Sequence, residues 1–426
     1  MDLNKREIRL SSVEIKNDNT IVYHYDAGSF MRRFLTREPL RVQYEGSVRD
    51  IPPGIAVIPF LGIMAPIVWF YRGILDIAEL DATYAESMDN VRAVYRDMYP
   101  RIHLSGRINI GRKTSTLPRA GARKGALFTG GIDSMATVLH HRQENPLLIS
   151  IWGSEQRLHQ IRAWRPVNEG EIVAAREFGL KRAVIASNYL DVIKQRELHT
   201  DFPGRLLRPW YVEVAYGPLL LGLSAPLTWR EGINTIYMAS SYTAENKPPD
   251  GSRPALVENM SWSGTRAVYD GGDEDRQQKF ERIIRLTNRQ FPGLKLIVCD
   301  QGKDEGINCS LCEKCSRTIA ALALMGINPG RYGFVTDANT PETIRHSFEN
   351  NKRYIPFAWQ QSNIKFWKEI QEKVPEYREV ILPPWREFFN WLSGVALDDY
   401  VTKPFIPWRE EIKRLVKRSY HSLFLR

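Results

Sequence analysis

The sequence predicts an α/β protein: a parallel sheet with helices on both faces, an N-terminal α+β extension and a C-terminal helical extension. Three observations carry this prediction. Apolar runs of strand length alternate with helical patterns over residues 121–335. A Gly-Gly turn joins one of these strands to a helix at Thr129-Gly130-Gly131. All four cysteines fall between Cys299 and Cys315, with none elsewhere in the 426 residues. The expected units are 1–120, an α+β accessory domain, 121–335, the central domain, and 336–426, a Trp-rich helical extension.

In the first unit, Ile8 to Ile15, Thr20 to Tyr25 and Leu40 to Tyr44 read as short strands separated by polar turns. Ile55 to Phe70 is uncharged for 16 residues. That is short of the ~18–20 needed to span a bilayer, so a buried strand-turn-helix is expected. A helical stretch follows from about Ala78 to Met98, and Gly111-Arg112-Lys113 to Arg123-Lys124 reads as a basic linker.

In the central domain, Gly125-Ala126-Leu127-Phe128 reads as a buried strand and a helix begins near Ile132. Leu147 to Trp152, Arg182 to Ala186 and Thr235 to Ser240 are further strands, with helices at Glu169 to Phe178 and Tyr216 to Ser224. Such sheets bind ligands beyond the C-terminal ends of their strands. The glycine loop, Trp152-Gly153-Ser154, Ser187-Asn188 and Ser240-Ser241 are expected to converge there. In the last unit Trp359, Trp367, Trp385, Trp391 and Trp408 are separated by proline breaks, and Lys413 to Arg426 is a basic amphipathic helix. Its apolar face suits docking on the protein, and RNA or a protein partner is the alternative.

A hydrophobic content of 43% and a charged content of 25% are those of a soluble globular protein. The formal charge of +10 favours anionic partners without choosing among nucleotide, nucleic acid and acidic protein. No basic run is dense enough to require nucleic acid. The opening residues lack the apolar core of a signal peptide, so a cytoplasmic protein with no membrane partner is expected.

A strand that feeds a helix through two glycines aims unpaired amides and the positive helix end at one point, which suits a phosphate. Asp133 and Ser134 either cap the helix or hold Mg²⁺ and a phosphate oxygen. No Gly-Lys-Ser/Thr follows, so this is not a Walker A loop. Cys299, Cys309, Cys312 and Cys315 can supply four thiolates to a tetrahedral Zn²⁺, with the bend supplied by Gly302 to Gly306. A Cys₄ iron–sulfur cluster and chance clustering are the alternatives. His140, His141, His159 and His199 are scattered and read as surface or packing residues.

Thr129-Gly130-Gly131-Ile132-Asp133-Ser134 resembles the Ser-Gly-Gly-x-Asp-Ser signature of the PP-loop ATP pyrophosphatases, with threonine for the first serine. Loop and cysteines in this order resemble the QueC family of 7-cyano-7-deazaguanine synthases over about residues 121–330. Ser240-Ser241-Tyr242 to Pro249-Asp250 and Val268-Tyr269-Asp270-Gly271 with Lys279 match that family more loosely. The family's members are shorter, so the chain looks more like the enlarged QueC-like proteins that accompany anti-phage defence and surface-glycan gene sets.

The resemblance implies an adenine nucleotide alpha hydrolase-like fold, with ATP, Mg²⁺ and a structural Zn²⁺. The implied reaction adenylates a small-molecule carboxylate of 7-deazaguanine type, releases pyrophosphate, and transfers the acyl group to ammonia or an amine. It places the nucleotide on Thr129, Gly130, Gly131, Ile132, Asp133, Ser134 and Trp152. Asp133, Ser134 and a cation from Lys279 or Arg276 would serve catalysis, the last two being alternatively surface charges. The extensions could dock a protein or glycan acceptor. A tRNA-modifying, thiolase-like enzyme and a non-catalytic nucleotide-binding scaffold are the competing readings.

Overall fold

The computed structural model describes residues 4–202, 205–243, 249–288, 290–299, 307–349 and 361–400. The chain divides into two compact units, Met1–Glu274 and Asp275–Arg426.

The first unit is built on one sheet of eleven strands. These are β1 (Glu7–Lys16), β2 (Thr20–Ala27), β3 (Leu40–Tyr44), β4 (Ile74–Asp81), β5 (Arg107–Thr114), β6 (Arg123–Leu127), β7 (Leu147–Trp152), β8 (Arg182–Ser187), β9 (Ile233–Ala239), β10 (Ser261–Trp262) and β11 (Thr265–Asp270). Their spatial order is β10-β11-β9-β6-β7-β8-β3-β2-β1-β4-β5. Strands β11, β9, β6, β7 and β8 are parallel neighbours. Leu147 to Ile149 are all buried, as expected for a strand covered on both faces.

The separate N-terminal domain expected over 1–120 is not what forms. Strand β3 pairs antiparallel with β8, Val42 opposite Ser187 and Tyr44 opposite Ile185. β2 and β1 continue from β3 as an antiparallel meander, and β4 and β5 run parallel to β1. A parallel run that stopped at β8 would leave a row of unpaired amides and carbonyls, and the N-terminal strands cover that edge. The boundary expected near residue 335 is also absent, since the chain divides at Glu274/Asp275. The basic linker read over 111–124 starts in the end of β5 and finishes in the start of β6, and only 115–122 between them connect the two strands.

Helices flank the sheet. We label α1 (Ile58–Phe70), α2 (Ala82–Met98), α3 (Ile132–His141), α4 (Ile161–Phe178) and α5 (Tyr216–Arg230). All thirteen residues of α1 are buried, so the apolar segment is a core helix rather than a strand-turn-helix. It packs on α5, buried from Gly217 to Thr228. The two helices touch through glycine: a Cβ on Gly62 would lie 2.3 Å from the Pro218 carbonyl oxygen. Asp81 caps α2, accepting from the Tyr84 amide at 3.0 Å. Among the described residues no helix is long and apolar enough to cross a membrane.

The second unit contains α6 (Arg276–Thr287), α7 (Glu313–Leu324), α8 (Thr340–Glu349), α9 (Gln361–Tyr377) and α10 (Arg386–Gly394). Asp275 and Gln278 form a reciprocal capping box at the start of α6. Helix α9 packs on both α6 and α7, so the Trp-rich segment shares a core with the cysteine region. Phe348 meets Trp367 and Trp391 edge-on at 5.0 and 5.3 Å. Trp359, Trp408, Gly302 to Gly306 and the basic helix expected over Lys413 to Arg426 lie outside the described residues.

Candidate functional site

Chain order within the parallel run locates the glycine loop. From β6 the chain winds outward through β7 and β8, then returns to the other side of β6 for β9 and β11. Strand β6 is therefore where the winding reverses, the position at which open α/β sheets leave a crevice beyond their strand ends. Thr129–Ser134 follow directly from β6 and enter α3. The parallel registers bring the ends of β6, β7, β8 and β9 to one edge of the sheet.

The loop has the backbone its sequence demands. Gly130 has φ +69, a left-handed conformation that costs an L-residue about 1–2 kcal/mol. Gly131 is extended at the N-cap of α3, and its carbonyl accepts the Met135 amide at 2.9 Å. Gly131 brings no capping side chain to the helix amides. Ile132 is buried and anchors the helix start in the core. The Ser134 hydroxyl donates to the Gly131 carbonyl at 3.1 Å and lies 3.1 Å from the Thr129 hydroxyl. It also accepts from the Thr129 amide at 3.3 Å. Ser134 thus braces the loop from inside, whereas Asp133 and Thr129 sit nearer solvent.

The neighbouring strand ends are divided between bracing and display. A Cβ on Gly153, φ +101, would lie 1.7 Å from the Ser187 carbonyl oxygen, so β7 and β8 close tightly here. Asn188 is structural: its side chain accepts from the Arg41 amide at 2.7 Å and donates to the Pro39 carbonyl at 3.0 Å. Trp152 is partly exposed and stacks on Trp164, centroids 5.4 Å apart and planes within 4°. Its indole Nε1 is buried without a hydrogen-bond partner among the described residues.

Burial pushes the Tyr216 phenol well up, and negative charge from Glu155, Asp250 and Asp133 pushes it further. Three carboxylates are thus near enough to Tyr216 to act on its phenol, Asp133 of the loop among them. One cation within this unit is spent locally. Arg208 pairs with Asp250 at 3.0 Å and lies 3.7 Å from Glu213, and it donates to Tyr242 at 2.9 Å and to the Pro249 carbonyl. Nothing in Leu207-Arg208-Pro209 signalled this cluster. A cleft of about 1060 Å³ lies between Ser11, Tyr25, Arg32, Glu38 and Lys194, and no loop residue lines it.

The cysteines form a compact group in the second unit. Their sulfurs all lie within 4.8 Å of one another. The pairs Cys309/Cys315 and Cys299/Cys312 stand 3.9 Å apart. A tetrahedral zinc with ~2.3 Å bonds requires about 3.8 Å between sulfurs. The Cys312 amide donates to the Cys309 sulfur at 3.2 Å. Asn308 holds the strand-like approach to Cys299, accepting the Val298 amide at 3.1 Å and donating to the Leu296 carbonyl at 2.7 Å. The neighbouring Cys299 thiol pushes Cys312 up to about 12, and Cys299 and Cys312 push Cys315 higher still. Four thiolates this close require a cation to ionise together. The group could bind a metal ion such as zinc.

Arg276 and Lys279 belong to α6 of this second unit. Arg276 lies over the Phe366 ring at 5.2 Å, and Lys279 is 2% exposed, so Lys279 is not a surface charge. Comparison with family models, curated proteins and solved structures returned no match for this chain.

Proposed function

We propose that the chain is a QueC-like ATP pyrophosphatase whose Gly130–Gly131 crook grips the phosphates of ATP. One observation carries this: the loop stands at the reversal point of the parallel sheet, at the start of α3, with Gly130 left-handed. The amides of Gly130, Gly131 and Ile132 and the helix end would meet the charge that grows on a leaving pyrophosphate. Asp133 would hold Mg²⁺, which shares that charge when bound. Ser134 would keep the loop in register through its bonds to Gly131 and Thr129. Trp152, already stacked on Trp164, would offer its other face to the adenine.

In the reaction a carboxylate oxygen of the acid forms a bond to the α-phosphorus. The bond from that phosphorus to the bridging oxygen breaks, and pyrophosphate leaves with its electron pair. Ammonia or an amine then attacks the acyl carbon, AMP leaves, and the nitrogen loses a proton to give an amide. The acid is taken as 7-carboxy-7-deazaguanine or a close relative, on the family resemblance alone. Zinc in the Cys₄ group would be structural, since four protein thiolates leave no open position. The same full use of the cysteines disfavours a thiolase, which needs a sulfur-carrying thiol.

Incubating the protein with ATP, Mg²⁺ and this acid, followed by mass spectrometry, tests the reading. AMP and an amide or amine conjugate are expected. ADP and phosphate as the nucleotide products would overturn it.

A further inference from the structure

The last turn of α3 carries a second group of metal-ligand type, independent of the nucleotide reading. His141 Nε2 lies 2.7 Å from Asp270 Oδ1, and His140 Nδ1 lies 3.7 Å from the same oxygen. One ligand atom from each of the three falls within 4.8 Å of the others. Asp270 ends β11, while the histidines come from the helix after β6, so the sheet order brings together residues far apart in sequence.

Two further features separate this group from a chance ion pair. Asp270 is 8% exposed, and its second oxygen, Oδ2, is buried with no hydrogen-bond partner among the described residues. A buried carboxylate oxygen left so is costly unless a cation takes it. The His141 ring is also held from every side. It stacks on Tyr237 at 3.7 Å and 10°, and on His140 at 4.6 Å and 18°. Its remote nitrogen, Nδ1, is 2.6 Å from Glu144 Oε1, and Glu144 Oε2 accepts from the Tyr237 hydroxyl at 2.9 Å. A carboxylate on the far nitrogen of a histidine fixes the tautomer and raises the basicity of the nitrogen facing the metal.

We infer that His140, His141 and Asp270 bind one divalent transition-metal ion of the zinc type, with Glu144 as the outer carboxylate that orients His141. Imidazole and carboxylate suit zinc, cobalt and nickel better than magnesium or calcium. Three protein ligands, one of them the largely exposed His140, leave a coordination position to water. The ion ties the end of α3 to the end of β11.

The test is a cobalt(II) titration of the whole protein whose cysteines have first been filled with one equivalent of zinc. A second equivalent should bind, giving visible d–d bands without a thiolate charge-transfer band. His140→Ala and Asp270→Asn should each weaken it by at least about tenfold, and Glu144→Gln by about 10–100-fold. His140 is exposed, so His140→Ala keeps the test meaningful if Asp270→Asn fails to fold. Failure to bind a second equivalent, a thiolate charge-transfer band from it, or binding unchanged in His140→Ala would overturn the assignment.

Discussion

Asp133→Ala is expected to lower ATP-dependent AMP formation by about 100-fold or more, the scale of losing one group that stabilises charge in a transition state. The residue occupies the first turn of α3, beyond a left-handed Gly130 and an extended Gly131, and a carboxylate there faces the helix's positive end. Two effects oppose each other at this position. A bare carboxylate would repel a polyphosphate, yet it is well placed to hold the cation that phosphate brings with it. If the cation wins, removing Asp133 costs turnover; if repulsion wins, removal tightens nucleotide binding. The fold should not respond, because it is Ile132 and Ser134 that anchor and brace the loop. The check is AMP release measured beside nucleotide affinity and metal content, with the last expected to be unchanged.

Cys312→Ser should have the largest effect on stability. Cys312 is buried at the N-cap of α7, and that helix is almost wholly buried from Glu313 to Leu324. Removing one of four thiolates leaves three crowded sulfurs around a weakened metal site, and a closed structural site contributes folding energy outright. Metal content at the cysteines should fall from one ion per chain toward zero after dialysis against a chelator. The melting transition of the second unit should broaden or disappear. Retention of stoichiometric metal and an unchanged melt would show that the four sulfurs sit together without holding an ion.

Much of the central sheet was legible in the chain. Leu147 to Trp152 form a strand over the residues read, because a continuous apolar run between turn residues has few other fates. The turn at Gly130 was legible for a similar reason, since only glycine enters a left-handed conformation cheaply. The cysteine group followed from spacing, and its sulfurs are together. Pairing between distant segments was not legible. The strands at Glu7–Lys16, Thr20–Ala27 and Leu40–Tyr44 were visible as strands, but nothing local says that β3 lies against β8. Helix α1 was misread because an all-apolar segment has no helical periodicity to display. His141 and Asp270 are 129 positions apart, and Arg208 meets Asp250 only through the fold, so neither cluster has a sequence signature. The bonds of the Ser134 hydroxyl to the Gly131 carbonyl and the Thr129 hydroxyl have no sequence signature either.

The most direct measurement is exchange of radiolabelled pyrophosphate into ATP, followed with and without 7-carboxy-7-deazaguanine and with no amine present. Reversible transfer of the α-phosphorus to an acid at the crook predicts exchange that depends on both Mg²⁺ and the acid, and that is lost in Asp133→Ala. A protein that binds ATP yet shows no exchange with this or any other carboxylic acid, while equilibrating phosphate with ATP instead, would contradict the account.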